Sequence, residues 1–218
     1  MTASQGPLSR RHLLAASAAT GLAWGNGQAA AAAGPATTAP AAPPMQATVL
    51  TLSGPGVRGN RGALNPARDL LLSHHGLAFE TARTFSAPDL ERLPAADIRP
   101  RIEYDGQPHR LRGPLLATVL REAGVDADAA AAHGQWVALQ ALDGYRARMP
   151  LAQALQWRML LATHMDDQRL SLGDLGPQWA MYDADRIAEL GDRPLKERFA
   201  QAPWGLYHIG LHTGQPGN

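Results

Sequence analysis

Apolar and polar residues alternate along Ala47-Thr48-Val49-Leu50-Thr51-Leu52-Ser53, and the run stops at Gly54-Pro55-Gly56. A period of two with a glycine-proline stop predicts a first strand. Pro66 to Ser73 suits a short helix, and Phe79 to Phe85 reads as a strand leading to Ser86, a helix-capping residue ahead of a brief helix from Ala87 to Arg92. Asp97 to Tyr104 and Pro108 to Leu111 flank Asp105-Gly106-Gln107, whose Asp-Gly pair supplies the positive φ of a tight hairpin. A helix is expected next, with Pro114 in its first turn, Leu116, Val119, Leu120 and Ala123 on one face, and Gly124 closing it. Gln135 to Ala141 is nearly continuous apolar sequence, as in a buried strand. Asp143-Gly144 turns it into Tyr145 to Met149, and a short helix follows from Leu151 to Gln156. Met159 to Thr163, Gln168 to Ser171 and Gln178 to Tyr182 are shorter strand candidates, Asp185 to Leu190 a helix, and Trp204 to Thr213 a closing strand with Tyr207, Ile209 and Leu211 on one face. Strands interspersed with short, irregularly placed helices, without a sustained βαβ rhythm, predict an α+β fold with a mixed, largely β sheet in one compact domain, residues 46–213, followed by a disordered tail, 214–218.

The first 45 residues follow a different pattern. Arg10 and Arg11 stand directly before an apolar Ala- and Leu-rich stretch, Leu13 to Trp24, and a small-residue run follows from Gln28 to Ala33. This looks like a twin-arginine export signal, residues 1–31, whose apolar stretch is too short to span a bilayer, which takes about 20 apolar residues. Residues 32–45 are almost wholly Ala, Pro, Thr and Gly and are expected to form a disordered tether. The expected location is the periplasm, with the twin-arginine translocase as a partner during export.

Composition narrows the function. The chain of 218 residues has 20 basic and 19 acidic side chains, too balanced for binding to nucleic-acid phosphates or anionic lipid, so no nucleic-acid partner is expected. It contains no cysteine, which excludes disulfides, thiolate metal sites and thiol nucleophiles. No glycine-rich phosphate loop, nucleophile elbow or metalloprotease motif is present.

Three segments in order carry a resemblance: Tyr104-Asp105-Gly106-Gln107 leading to Leu111-Arg112-Gly113-Pro114-Leu115-Leu116, then Ala141-Leu142-Asp143-Gly144-Tyr145 leading to Met149-Pro150-Leu151, then Leu175-Gly176-Pro177-Gln178-Trp179. With the closing strand they resemble the molybdopterin-binding domain of the sulfite oxidase superfamily, in particular its short, secreted, stand-alone members. The resemblance implies a mixed, largely β fold and a polar cleft in which catalytic members hold a molybdenum–pterin cofactor with backbone groups and Arg or His side chains. Those members bind the metal through a cysteine thiolate, and this chain offers none, so thiolate-bound molybdenum is not expected, although the resemblance leaves molybdopterin itself open.

The candidate cofactor or ligand residues are His109, Arg112, Asp143, Tyr145 and Arg146, around the two Asp-Gly turns; catalytic residues are not identified. His109 stands beside arginines at a hairpin, where it either meets an anion or pterin edge or is simply exposed. Asp143 and Tyr145 either face the ancestral cleft or make a turn and pack. No metal site is expected. His208 and His212 share a strand face but lie ~13 Å apart along it, too far to hold one ion, and are read as surface or cleft-lining groups. His74 and His75 suit a helix C-terminus, and His164 and Met165 point to opposite faces of a strand. Lys196 is the only lysine. Three readings stay open: a non-catalytic accessory protein that binds a small anionic or aromatic ligand and serves a periplasmic or membrane redox or sensor partner; an active oxidoreductase with non-thiolate metal ligation; and a haem or copper electron-transfer module.

Overall fold

The β-rich alternation at the start of the domain is realised in β1, Thr48–Ser53, in the computed structural model, which describes residues 46–215. The export signal with Arg10 and Arg11, the tether, and residues 216–218 lie outside the described residues. After β1 come α1 (Leu70–His74), β2 (Ala82–Ser86), α2 (Ala87–Glu91), β3 (Ala95–Ile98), β4 (Leu111–Pro114), α3 (Leu116–Glu122), α4 (Ala127–Ala132), β5 (Trp136–Ala141) and β6 (Arg146–Pro150). They are followed by α5 (Leu151–Gln156), β7 (Leu160–Ala162), β8 (His164–Met165), β9 (Gln168–Arg169), β10 (Trp179–Met181), α6 (Ala188–Gly191) and β11 (Leu206–His212). The main sheet runs β2-β1-β11-β5-β6, with β1 and β11 parallel and the other neighbours antiparallel. A four-stranded sheet, β3-β4-β8-β9, and the pair β10-β7 complete the α+β architecture expected of the sequence.

The two faces of the main sheet differ, as period two requires. Leu50, Leu52, Val137, Leu139, Ala147, Met149, Ile209 and Leu211 join the apolar cluster with Leu116, Val119 and Leu120 of α3 and Leu151 and Ala154 of α5. At alternate positions Thr51, Ser53, Gln140 and His208 are buried yet polar. The segment after α1 covers this second face: the carbonyl of His75 accepts a hydrogen bond from the Arg146 guanidinium at 2.6 Å, and the Phe79 ring stacks on that of His208.

Several local expectations hold, and others are corrected. Ser86 caps α2 in a capping box with Asp89, and α1 ends on His74 with His75 as its cap. Pro114 does not open α3: it is the last residue of β4, paired with Ala95, and the helix starts at Leu116. The regular ladder of the first hairpin lies at Ala95–Ile98 and Leu111–Pro114, and the Asp105-Gly106 turn closes it through a bridge between Arg101 and Pro108. The Asp185–Leu190 helix divides into a 3-10 turn, Ala184–Arg186, and α6. Tyr207 stays out of the apolar cluster because β11 is bulged between Leu206 and His208, and its hydroxyl reaches Nδ1 of His75 at 2.7 Å.

Candidate functional site

Two of the three resemblance-bearing segments line one cleft, and the third packs against it from the core through Trp179. Tyr104, from the first, lies with its ring 5.9 Å from that of Trp179, from the third, while Asp143 and Tyr145, from the second, lie on the same cleft of about 280 Å³. Trp204, just before β11, completes an aromatic lining. Of six large hydrophobic side chains exposed among the described residues, three are Tyr104, Tyr145 and Trp204. Exposed aromatics are normally scattered; three around one depression mark a binding surface.

The opposite wall is the 198–204 segment, held from below by aromatic polar tips. The Tyr182 hydroxyl donates to the Arg198 carbonyl at 2.8 Å, the Tyr145 hydroxyl to that of Ala200 at 2.5 Å, and the Trp179 indole N–H to that of Ala202 at 2.9 Å. Aromatic bodies thus pack while their polar ends fix every second carbonyl of an irregular segment. The turn below is set by Asp143, whose Oδ1 accepts the Tyr145 amide at 2.9 Å, and by Gly144 at φ 94°.

Charge in the cleft comes from Glu103, Asp143 and Lys196, two carboxylates against one ammonium. Burial, reinforced by the Glu103 and Asp143 carboxylates, raises the Tyr104 phenol above its ordinary value, so it stays protonated and can donate a hydrogen bond. The lining therefore favours an aromatic ligand that is neutral or cationic over an anionic one.

The five candidate residues fall in different places. Asp143 and Tyr145 share this cleft. Arg146 points to the polar face of the main sheet, where its Nε donates to Gln140 at 2.5 Å. His109 is clamped by two carboxylates, Nε2 at 2.8 Å from Asp105 and Nδ1 at 2.6 Å from Asp166, which raise its pKa; it ties the 105–107 turn to the β8–β9 turn. Arg112 is exposed on β4. Glu103, Tyr104, Lys196 and Trp204 were not among the candidates; Tyr104 stands in a motif quoted above, and Lys196 stood out only by its rarity.

His208, read from the sequence as a surface or cleft-lining group, is buried. It is 4% exposed, Nε2 lies 3.0 Å from the Ser53 hydroxyl, and burial pushes its imidazole down to about 3. Gly210, between the two histidines, has no side chain, and a Cβ there would meet Nε2 of His212 at 2.9 Å and Cε1 of His208 at 3.4 Å. Both rings lean over the glycine and approach far more closely than their ~13 Å separation along the strand implies. No group of three or more His, Asp or Glu side chains arranged to hold a metal is present among the described residues.

The cleft residues do not fit a thiolate-anchored molybdenum–pterin group. Its metal would find only oxygen and nitrogen donors, and its phosphate would meet two carboxylates and one lysine.

Comparison with known proteins agrees with the motif reading. Residues 67–174 match the family model described as oxidoreductase molybdopterin binding domain. Among solved structures, the chain is similar to the sulfane dehydrogenase SoxCD from Paracoccus pantotrophus, at 15% identity and a TM-score of 0.46, over 61% of this chain and 35% of that one. The chain thus spans about a third of that protein's length. No curated protein matches.

Proposed function

We propose that this chain, whose residues 67–174 carry an oxidoreductase molybdopterin-binding domain, is an exported, non-catalytic binding protein of the periplasm that holds a small aromatic ligand in the Tyr104–Tyr145–Trp204 cleft. One observation carries this reading: two of the segments that resemble the cofactor-binding family line a cleft rich in aromatic side chains, in a chain without a single thiol. The cleft supplies ring faces for stacking, a protonated Tyr104 hydroxyl, and the carboxylates of Glu103 and Asp143 as acceptors, so it recognises a flat ligand with hydrogen-bond donors at its edge. Export rests on Arg10, Arg11 and the apolar run behind them, and a redox or sensor protein of the cell envelope would read the liganded state.

The test is ligand recovery and cleft substitution. Protein isolated from the periplasm of its own host is denatured, and the released small molecules are identified and counted against chain. The reading expects an aromatic compound that rebinds with quenching of tryptophan fluorescence and is lost from the Tyr104→Ala, Trp204→Ala double variant. A released compound that rebinds equally well to that variant contradicts it. Replacing Arg10 and Arg11 with lysine should leave the protein in the cytoplasm; unchanged export contradicts the signal assignment.

A further inference from the structure

A second cleft, of about 520 Å³, shares no lining residue with the first. Ala96 and Ile98 of β3 and Leu115, all half-buried against the core, make its apolar wall, and Trp157 at the end of α5 closes one side. Four arginines surround it. Two are spent: Arg110 pairs with Asp97 at 3.0 Å and Asp167 at 2.8 Å, and Arg186 with Asp183 at 3.2 Å. Asp97 and Asp183, the two carboxylates on the cleft, are thereby both paired, and Arg110 holds Asp167 as well. Arg99 and Arg158 have no ion pair or side-chain hydrogen bond among the described residues, with only a through-space attraction between Arg99 and Asp166, so two guanidinium groups without a direct partner stand beside an apolar wall.

The backbone at Arg158 points the same way. It follows the Trp157 cap of α5, with its own N–H bonded to the carbonyl of Leu155 at 2.9 Å and the next N–H, of Met159, bonded to that of Ala154 at 3.0 Å. This is the two-bond ending in which a glycine normally takes the left-handed position. Here an arginine holds φ 52° instead. A non-glycine residue in that region is strained, and the residue that accepts the strain carries one of the two guanidinium groups without a direct partner.

We propose that this cleft is an anion site for a small organic ligand, an apolar body bearing one oxyanion group such as a phosphate ester or carboxylate, gripped by Arg99 and Arg158. Charge-assisted hydrogen bonds from two planar guanidinium groups suit a phosphate or carboxylate, and Ile98 and Leu115 suit the apolar portion. The site is independent of the aromatic cleft, whose acidic balance disfavours such a ligand.

Calorimetric titration of the mature protein with phenyl phosphate, inorganic phosphate and benzyl alcohol tests the proposal. Phenyl phosphate is expected to bind one per chain, inorganic phosphate more weakly, and benzyl alcohol not at all. Arg99→Gln and Arg158→Gly should each weaken phenyl phosphate about tenfold, and the double variant should abolish its binding. Arg158→Gly relieves the left-handed strain, so it should melt at or above the wild-type temperature while losing affinity, which separates binding from folding. Arg92→Gln, at an exposed arginine outside the lining, should change nothing. Absence of saturable binding by the wild type, undiminished binding in the double variant, or equal binding of inorganic and phenyl phosphate would each overturn the proposal.

Discussion

Substituting Gly113 by alanine probes why the Leu111–Leu116 segment carries a glycine at all. A Cβ at this position of β4 would lie 1.9 Å from the carbonyl oxygen of Leu161 in β7. Carbon and oxygen come no closer than about 3.3 Å without bonding, so the strands must part by roughly 1.4 Å. The obstacle is backbone of a strand with no exposed residue and cannot swing away. Hydrogen bonds on either side of the contact, Thr163 N–H to the Arg112 carbonyl at 2.9 Å and Leu116 N–H to the Met159 carbonyl at 2.8 Å, would be stretched past their useful range. Losing both costs about 2 kcal/mol, and overpacking adds about 1–3 kcal/mol, for a total near 3–5 kcal/mol. In a domain of this size each kcal/mol moves the midpoint by about 2–4 °C, so Gly113→Ala should melt roughly 6–20 °C below wild type. Thermal unfolding followed by circular dichroism reads this directly, with Gly62→Ala, where nothing lies within 4 Å, as the control expected to match wild type. Accumulation of the Gly113 variant only in aggregates, beside soluble Gly62→Ala, is the same outcome at its extreme. A Gly113→Ala protein melting within about 2 °C of wild type would refute the reasoning.

Other perturbations have defined outcomes. His208 is buried and neutral with its pKa lowered to about 3, so the unfolded chain binds the extra proton; its contribution to stability is present above about pH 6.5 and is lost as pH falls toward 3, by at most about 1.4 kcal/mol per pH unit. Denaturant melts of His208→Asn across that range should show a shallower acid slope, and an unchanged slope would contradict the assignment. His109 has the opposite sign: its raised pKa stabilises the fold below pH 6.5, and that contribution is lost as pH rises through the folded-state value, whereas the lowered Asp166 pKa makes its share disappear as the solution becomes acidic. His109→Gln should therefore lose more stability at pH 5.5 than at pH 8.5, and equal losses would remove the clamp from the account. Trp179→Phe leaves the Ala202 carbonyl without its donor at a cost of about 1–3 kcal/mol and should loosen the 198–204 wall, read as faster amide exchange there; unchanged exchange would contradict the anchoring role.

Much of the fold was legible because its signals are local. Ser86 with Asp89, the Asp105-Gly106 and Asp143-Gly144 turns, and the apolar run of β5 each act within a few residues. Pro114 misled because a proline ahead of an apolar helix face suits a first turn, yet it fits equally at the end of a strand that pairs through Ala95. The helix α4 leaves no periodic signal, because Ala129 to Ala132 has no apolar face; its signals are the Asp126 cap, which accepts from the Ala129 amide, and Gly134 beyond its end. The parallel pairing of β1 with β11 joins the two ends of the domain and leaves no local trace. The candidate site was half legible for the same reason. Asp143 and Tyr145 came from a motif, but their neighbours Glu103, Lys196 and Trp204 meet them only through tertiary folding. Spacing along β11 makes His208 a surface or cleft-lining group because it cannot register the cover supplied by Phe79 or the room left by Gly210.

We propose that this chain holds no molybdenum, because it offers the metal no thiolate. Protein purified from its own host, grown with ample molybdate, can be assayed for metal by mass spectrometry and for pterin by fluorescence after oxidation. Molybdenum far below one atom per chain, with no stoichiometric molybdopterin, is the expected result. One tightly held molybdenum per chain, with its pterin, would contradict it.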